Sequence, residues 1–163
     1  MEKFETLPQG SKDERYALLY KQVVALVEDE TDMIANMANV ASMIQEIFAF
    51  LWTGFYRVAD AKQLVLGPFQ GPLACTRIPY GKGVCGTAWA QKSTLVVPDV
   101  EQFPGHIACS SDSRSEIVVP VFDHKGEVIA VLDIDSTSVG TFDETDKVWL
   151  ERISETLLKS LTI

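Results

Sequence analysis

No segment of this 163-residue chain approaches the roughly 20 consecutive apolar residues that a membrane-spanning helix needs, so a helical membrane protein is not expected. Its start, Met1-Glu2-Lys3-Phe4-Glu5, has no apolar run behind a basic head, and the expected location is cytoplasmic. Basic clusters are missing as well. With 14 Lys and Arg against 23 Asp and Glu, the formal charge is −9. Such a surface repels phosphate backbones and anionic lipid, which makes nucleic acid and membranes poor partners. Internal repeats, low-complexity tracts and linker-like breaks in composition are also absent. One domain over residues 1–163 is therefore expected, with an N-terminal helix in 1–30 and the rest of the core in 31–163.

Cysteine is scarce: Cys75, Cys85 and Cys109 only. An odd number in a chain with no export-type start is a poor basis for a structural disulfide framework. No two cysteines lie at the close spacing of a zinc knuckle. A zinc site of Cys75, Cys85, Cys109 and His106 is chemically conceivable but has no such spacing behind it, and no metal is expected.

What remains is ample material for a core, 47% apolar residues against 23% charged. Ser11 followed by Glu14 predicts a capped helix start, with Tyr16, Leu19, Tyr20, Val23 and Leu26 as its apolar stripe. A second helix is expected over 31–48, carrying Met33, Ile34, Met37, Val40, Ile44 and Ile47 at helical spacing. Short runs rich in aromatic and β-branched residues then predict strands at 50–58, 63–69, 75–78 and 94–97, with a short helix at 83–91. The aperiodic stretch 98–114 reads as a long loop, a common place for function. Strands at 116–122 and 127–135 flank a turn at Asp123-His124-Lys125-Gly126, and a last helix from Asp143 carries Val148, Leu150, Ile153, Leu157 and Leu161. Helices before and after an antiparallel set of strands give an α+β class.

Side chains alternate across a strand, so Asp133 and Asp135 share one face while Leu132 and Ile134 share the other. A two-residue turn at Lys125-Gly126 sets Glu116 opposite Asp135 and Val118 opposite Asp133; a four-residue loop sets Glu116 opposite Asp133 instead. Either register gathers three carboxylates on one face, where like charges repel. A cation, a metal or a retained proton relieves that repulsion, and a retained proton makes a carboxyl a general acid. The other reading is a wet face carrying ordinary surface acids.

A reactive cysteine needs exposure and an activating neighbour. Cys109, in the long loop beside His106, is the best-placed nucleophile, although His106 can equally be structural. Cys75 on a strand and Cys85 at a helix start have the alternative role of inert core thiols.

Four segments, 51–56 (LWTGFY), 81–89 (GKGVCGTAW), 105–109 (GHIAC) and 115–121 (SEIVVPV), closely resemble the free methionine-(R)-sulfoxide reductases, enzymes built on the GAF fold. The order and spacing of the three cysteines fit that family. The resemblance implies a central antiparallel sheet flanked by N- and C-terminal helices, with Cys109 as nucleophile, Cys75 as its resolving partner and Cys85 as a further thiol for exchange. It implies that Glu116, Asp133 and Asp135 hold the substrate and that Trp52 and Tyr56 wall its pocket. The implied activity is reduction of free methionine-(R)-sulfoxide through a sulfenic acid and an intramolecular disulfide. Thioredoxin is the implied external reductant, no cofactor is needed, and a homodimer through the terminal helices is one possible assembly. The competing classes are a non-catalytic GAF ligand sensor and a redox switch.

Overall fold

A computed structural model describes residues 4–161. Two helices, α1 (Lys12–Val27) and α2 (Met33–Phe48), precede the strands β1 (Trp52–Val58), β2 (Gln63–Gln70) and β3 (Arg77–Pro79). The chain continues through α3 (Gly83–Gln91), β4 (Leu95–Val97), β5 (Ser115–Phe122), β6 (Val128–Ser136) and α4 (Glu144–Thr156).

Helix α1 begins where its sequence directs. The Glu14 amide donates to the Ser11 hydroxyl and the Ser11 amide donates to the Glu14 carboxylate, so two otherwise orphaned donors are satisfied. Asp32 starts α2 with a one-way cap, its carboxylate accepting from the Ala35 amide at 2.8 Å. Asp143 starts α4, with Asp146 completing the reciprocal pair. The helical stripes are buried as expected except at their ends: Ile34 and Val148 face solvent, and Val27 rather than Leu26 is enclosed.

All strand pairs are antiparallel, in the order β3-β2-β1-β6-β5-β4. Alternation gives the sheet two apolar faces. Phe55, Ile117, Val119, Leu132 and Ile134 pack with α1, α2 and α4 in one core. Trp52, Tyr56, Val118 and Val131 pack with α3 in the other. Burial on both sides explains why β5 and β6 are so apolar, and why acids on the α3 side stand out.

The β5–β6 hairpin reaches the first of the two expected registers, with Glu116 opposite Asp135 and Val118 opposite Asp133. Its turn differs from both expectations. The Asp123 amide donates to the Glu127 carbonyl and the Gly126 amide to the Asp123 carbonyl, leaving a three-residue loop with Gly126 at φ +77°. An extra residue on β6 next to that loop, where pairing slips between Val121 and Phe122, restores the register. The expected strand at 75–78 is also corrected: β3 starts at Arg77, and Cys75 lies in the loop before it.

Candidate active site

The two central strands and their neighbour β5 bring the acids together. Asp133 and Asp135 on β6 and Glu116 on β5 point to the α3 side, and β1 sets Gly54 and Trp52 beside them, opposite Asp133 and Asp135 respectively. A cavity of about 530 Å³, its open mouth included, is lined by these acids together with Trp52, Tyr56, Cys85, His106 and Cys109. The room inside is narrow, because that volume includes open solvent at the mouth.

One wall is aromatic. The Trp52 ring stacks on Tyr56 at 5.8 Å and on Phe69 at 5.3 Å between centroids. Its indole N–H donates to the Pro72 carbonyl, and the Tyr56 hydroxyl donates to the Cys75 carbonyl at 2.9 Å. Gly54 makes this stacking possible: a Cβ there would lie 2.4 Å from Phe69 Cβ and 2.6 Å from the end of the Trp52 ring.

The opposite wall is charged. Cys85, Glu116 and Asp133 are all buried, with donor atoms within 4.8 Å of one another, and Asp133 Oδ1 has no hydrogen-bond partner. Ser113 donates to Asp135 at 2.6 Å. His106 Nε2 lies 3.3 Å from Glu116 Oε2. Burial, followed by the charge of Asp135, pushes the Glu116 carboxyl up to about 8. Burial also drives Asp133 well above the usual carboxylate range, reinforced by the charges of Asp135 and Glu116. Asp135 is raised by burial only to about 6, because the Ser113 hydrogen bond and the His106 charge oppose the rise. Burial, then the charges of Asp133 and Glu116, push the Cys85 thiol up, so it stays protonated and is a weak nucleophile at neutral pH.

Cys75 and Cys109, 34 residues apart, are joined in a disulfide with their Cα atoms 5.3 Å apart. Each comes from a loop, and both are half-buried beside the cavity mouth. The Cys109 loop is anchored at both ends of the 98–114 stretch: the Val100 amide donates to the Arg114 carbonyl, and the Arg114 amide to the Ser136 carbonyl. Ile107 from the same loop rests on Gly83, which opens α3 at φ +61°. A zinc site using Cys75 and Cys109 is therefore incompatible with this disulfide form.

Every site residue singled out from sequence lies at or next to this cavity. His106 is paired with Glu116, a partner that sequence spacing did not suggest. Ser113 and Ile107 were missed, being an ordinary serine and an ordinary apolar residue in an aperiodic loop.

Residues 27–158 match the GAF domain family. A GAF domain-containing protein of Dictyostelium discoideum is 54% identical, the match covering 93% of this chain and 95% of that one. The free methionine-R-sulfoxide reductase of Escherichia coli is 45% identical over 93% of this chain and 91% of its own. The crystal structure of the Neisseria meningitidis free methionine-R-sulfoxide reductase in complex with its substrate superposes with a TM-score of 0.94 at 50% identity, covering 98% of this chain and 95% of that one. The chain belongs to the free methionine-R-sulfoxide reductase family of GAF domains. Its six-stranded antiparallel sheet between helices is the GAF fold, in the α+β class expected from sequence. Among the described residues, no helix is long and apolar enough to cross a membrane.

Proposed function

We propose that this family member reduces free L-methionine-(R)-sulfoxide to methionine, with Cys109 as nucleophile. The observation that carries the proposal is the placement of a paired Cys75 and Cys109 beside a cavity lined by three acids, Glu116 and Asp133 buried and Asp135 half-buried. Two relatives that share this fold over nearly the whole chain carry the same activity in their names.

In the reduced protein the Cys109 thiolate attacks the sulfoxide sulfur as the oxygen takes up a proton; the sulfur–sulfur bond so formed then breaks as the oxygen passes, with that proton, from the substrate sulfur to the Cys109 sulfur. Methionine leaves as a thioether and Cys109 is left as a sulfenic acid. The Cys75 thiol condenses with it, releasing water and forming the disulfide. The sum is two thiols and one sulfoxide giving one disulfide, one thioether and one water. An external dithiol such as thioredoxin restores the thiols by exchange, and no cofactor enters the scheme.

The three acids divide the remaining work. Asp135, the most acidic of them, is ionised at neutral pH and suits the substrate ammonium. Glu116 and Asp133 retain protons there, and one of them gives its proton to the sulfoxide oxygen. Trp52 and Tyr56 offer an apolar wall for the S-methyl end. A methionine within a peptide has no ammonium and carries chain on both sides that a narrow cavity rejects, so free substrate is preferred.

The test uses racemic methionine sulfoxide, thioredoxin, its reductase and NADPH. NADPH loss stopping near half the substrate supports a stereospecific reductase; no loss favours the sensor or the redox switch. In single-turnover mixtures Cys109→Ser should yield no methionine, whereas Cys75→Ala should yield one turnover and then stop. Equal yields from Cys109→Ser and the parent would refute the assignment.

A further inference from the structure

Cys85 is unused by the reaction scheme, yet its thiol is buried in contact with the acids rather than in a purely apolar pocket. An ammonium ion is satisfied by carboxylates and gains little from a thiol. A sulfur and two carboxylate oxygens, by contrast, form the mixed donor set of a borderline-soft divalent ion. The three donors come from the first turn of α3, from β5 and from β6, and their atoms lie within 4.8 Å of one another. Asp133 is 6% exposed, and its Oδ1, on a side chain that lines the cavity, has no hydrogen-bond partner. An unpartnered buried carboxylate oxygen is costly, and a cation removes that cost.

We propose that Cys85, Glu116 and Asp133 form a binding site for zinc or a similar thiophilic divalent ion, which occupies the floor of the cavity. His106, already 3.3 Å from Glu116, borders the same place. Binding displaces the Cys85 proton and those the acids retain, so the ion enters as protons leave. The inference shares residues with the reductase reading but does not rest on it.

The disulfide form gives a clean test, because Cys85 is then the sole thiol. Cadmium is titrated into the oxidised protein while thiolate-to-metal charge-transfer absorption and proton release are followed. Expected are a single ion per chain, a matching release of protons, loss of the band in Cys85→Ser, and affinity weakened on the order of tenfold or more in Asp133→Asn. No band in the parent overturns the site. So does a band unchanged in Asp133→Asn and Glu116→Gln, since that marks a simple thiol adduct. Asp133→Asn conserves side-chain shape, and circular dichroism before titration confirms that each variant is folded. Reductase activity is not part of the readout, so failure here leaves the reductase assignment standing.

Discussion

Replacing Asp133 by Asn removes an ionisable carboxyl and keeps a shape, which separates the two things this side chain does. In the fold it is a buried acid among acids; in the proposed reaction it is one of the two carboxyls that can protonate the sulfoxide oxygen. A hydrogen bond to a charged partner is worth about 1.5–3 kcal/mol, so kcat/KM for free methionine sulfoxide should fall roughly 10- to 150-fold in Asp133→Asn. Steady-state kinetics decides this, and an unchanged kcat/KM removes Asp133 from the site. Gly54 is a matching case on the aromatic wall. Gly54→Ala drives a methyl into Phe69 and the Trp52 ring, and overpacking of that kind costs about 1–3 kcal/mol. Denaturant unfolding should show that loss together with a raised KM, because the displaced ring is the wall of the cavity.

Among the elements, α3 is positioned by a close approach. A Cβ at Gly86 would lie 2.4 Å from the Pro79 carbonyl at the end of β3. Gly86→Ala should push α3 off the sheet and carry Cys85 with it. The expected sign is a Cys85 thiol that reacts with a thiol reagent in the folded protein, where the parent's does not. At this scale the sequence was most legible where one physical rule acts alone. Strand alternation assigned Asp133, Asp135 and Glu116 to one face, and the Ser11–Glu14 spacing fixed a helix start, because each depends on residues close by. The turn was not legible: a three-residue loop plus an extra residue on β6 gives the same register as a two-residue turn, so the pattern of facing residues cannot tell them apart. Cys75 looked like part of a strand because it precedes Arg77 and Ile78, but the ladder to β2 starts only at Arg77. Residue spacing alone did not pair Cys75 with Cys109, nor His106 with Glu116, since both contacts join segments distant along the chain; the family resemblance pointed to the first and not the second.

For the molecule as a whole, two conditions should shift stability in known directions. The disulfide closes a loop of 34 residues, and a crosslink of that span stabilises by about 3–4 kcal/mol in the chain-entropy account. The oxidised protein should therefore melt above the reduced one. The pH response comes from the opposite side of the ledger. Glu116, Asp133 and Asp135 hold protons more tightly folded than unfolded, so between the ordinary carboxylate range near pH 4 and about pH 8 the native state binds more protons than the unfolded state. Stability must then fall as pH rises through that window. Exposed acids act oppositely: Asp60, Asp123 and Asp143 are lowered by hydrogen bonds in the fold, and their contribution fades as pH drops through the acid range. Stability is therefore expected to peak on the acid side of neutrality. Denaturant midpoints measured from pH 4 to pH 9 should decline on the alkaline side, and Asp133→Asn should flatten that decline by deleting one of the charges that burial resists. A parent protein whose midpoint is level or rises from pH 5 to pH 9 would mean that these carboxyls ionise freely in the fold, and with that the proton-holding role given to Glu116 and Asp133 would be lost.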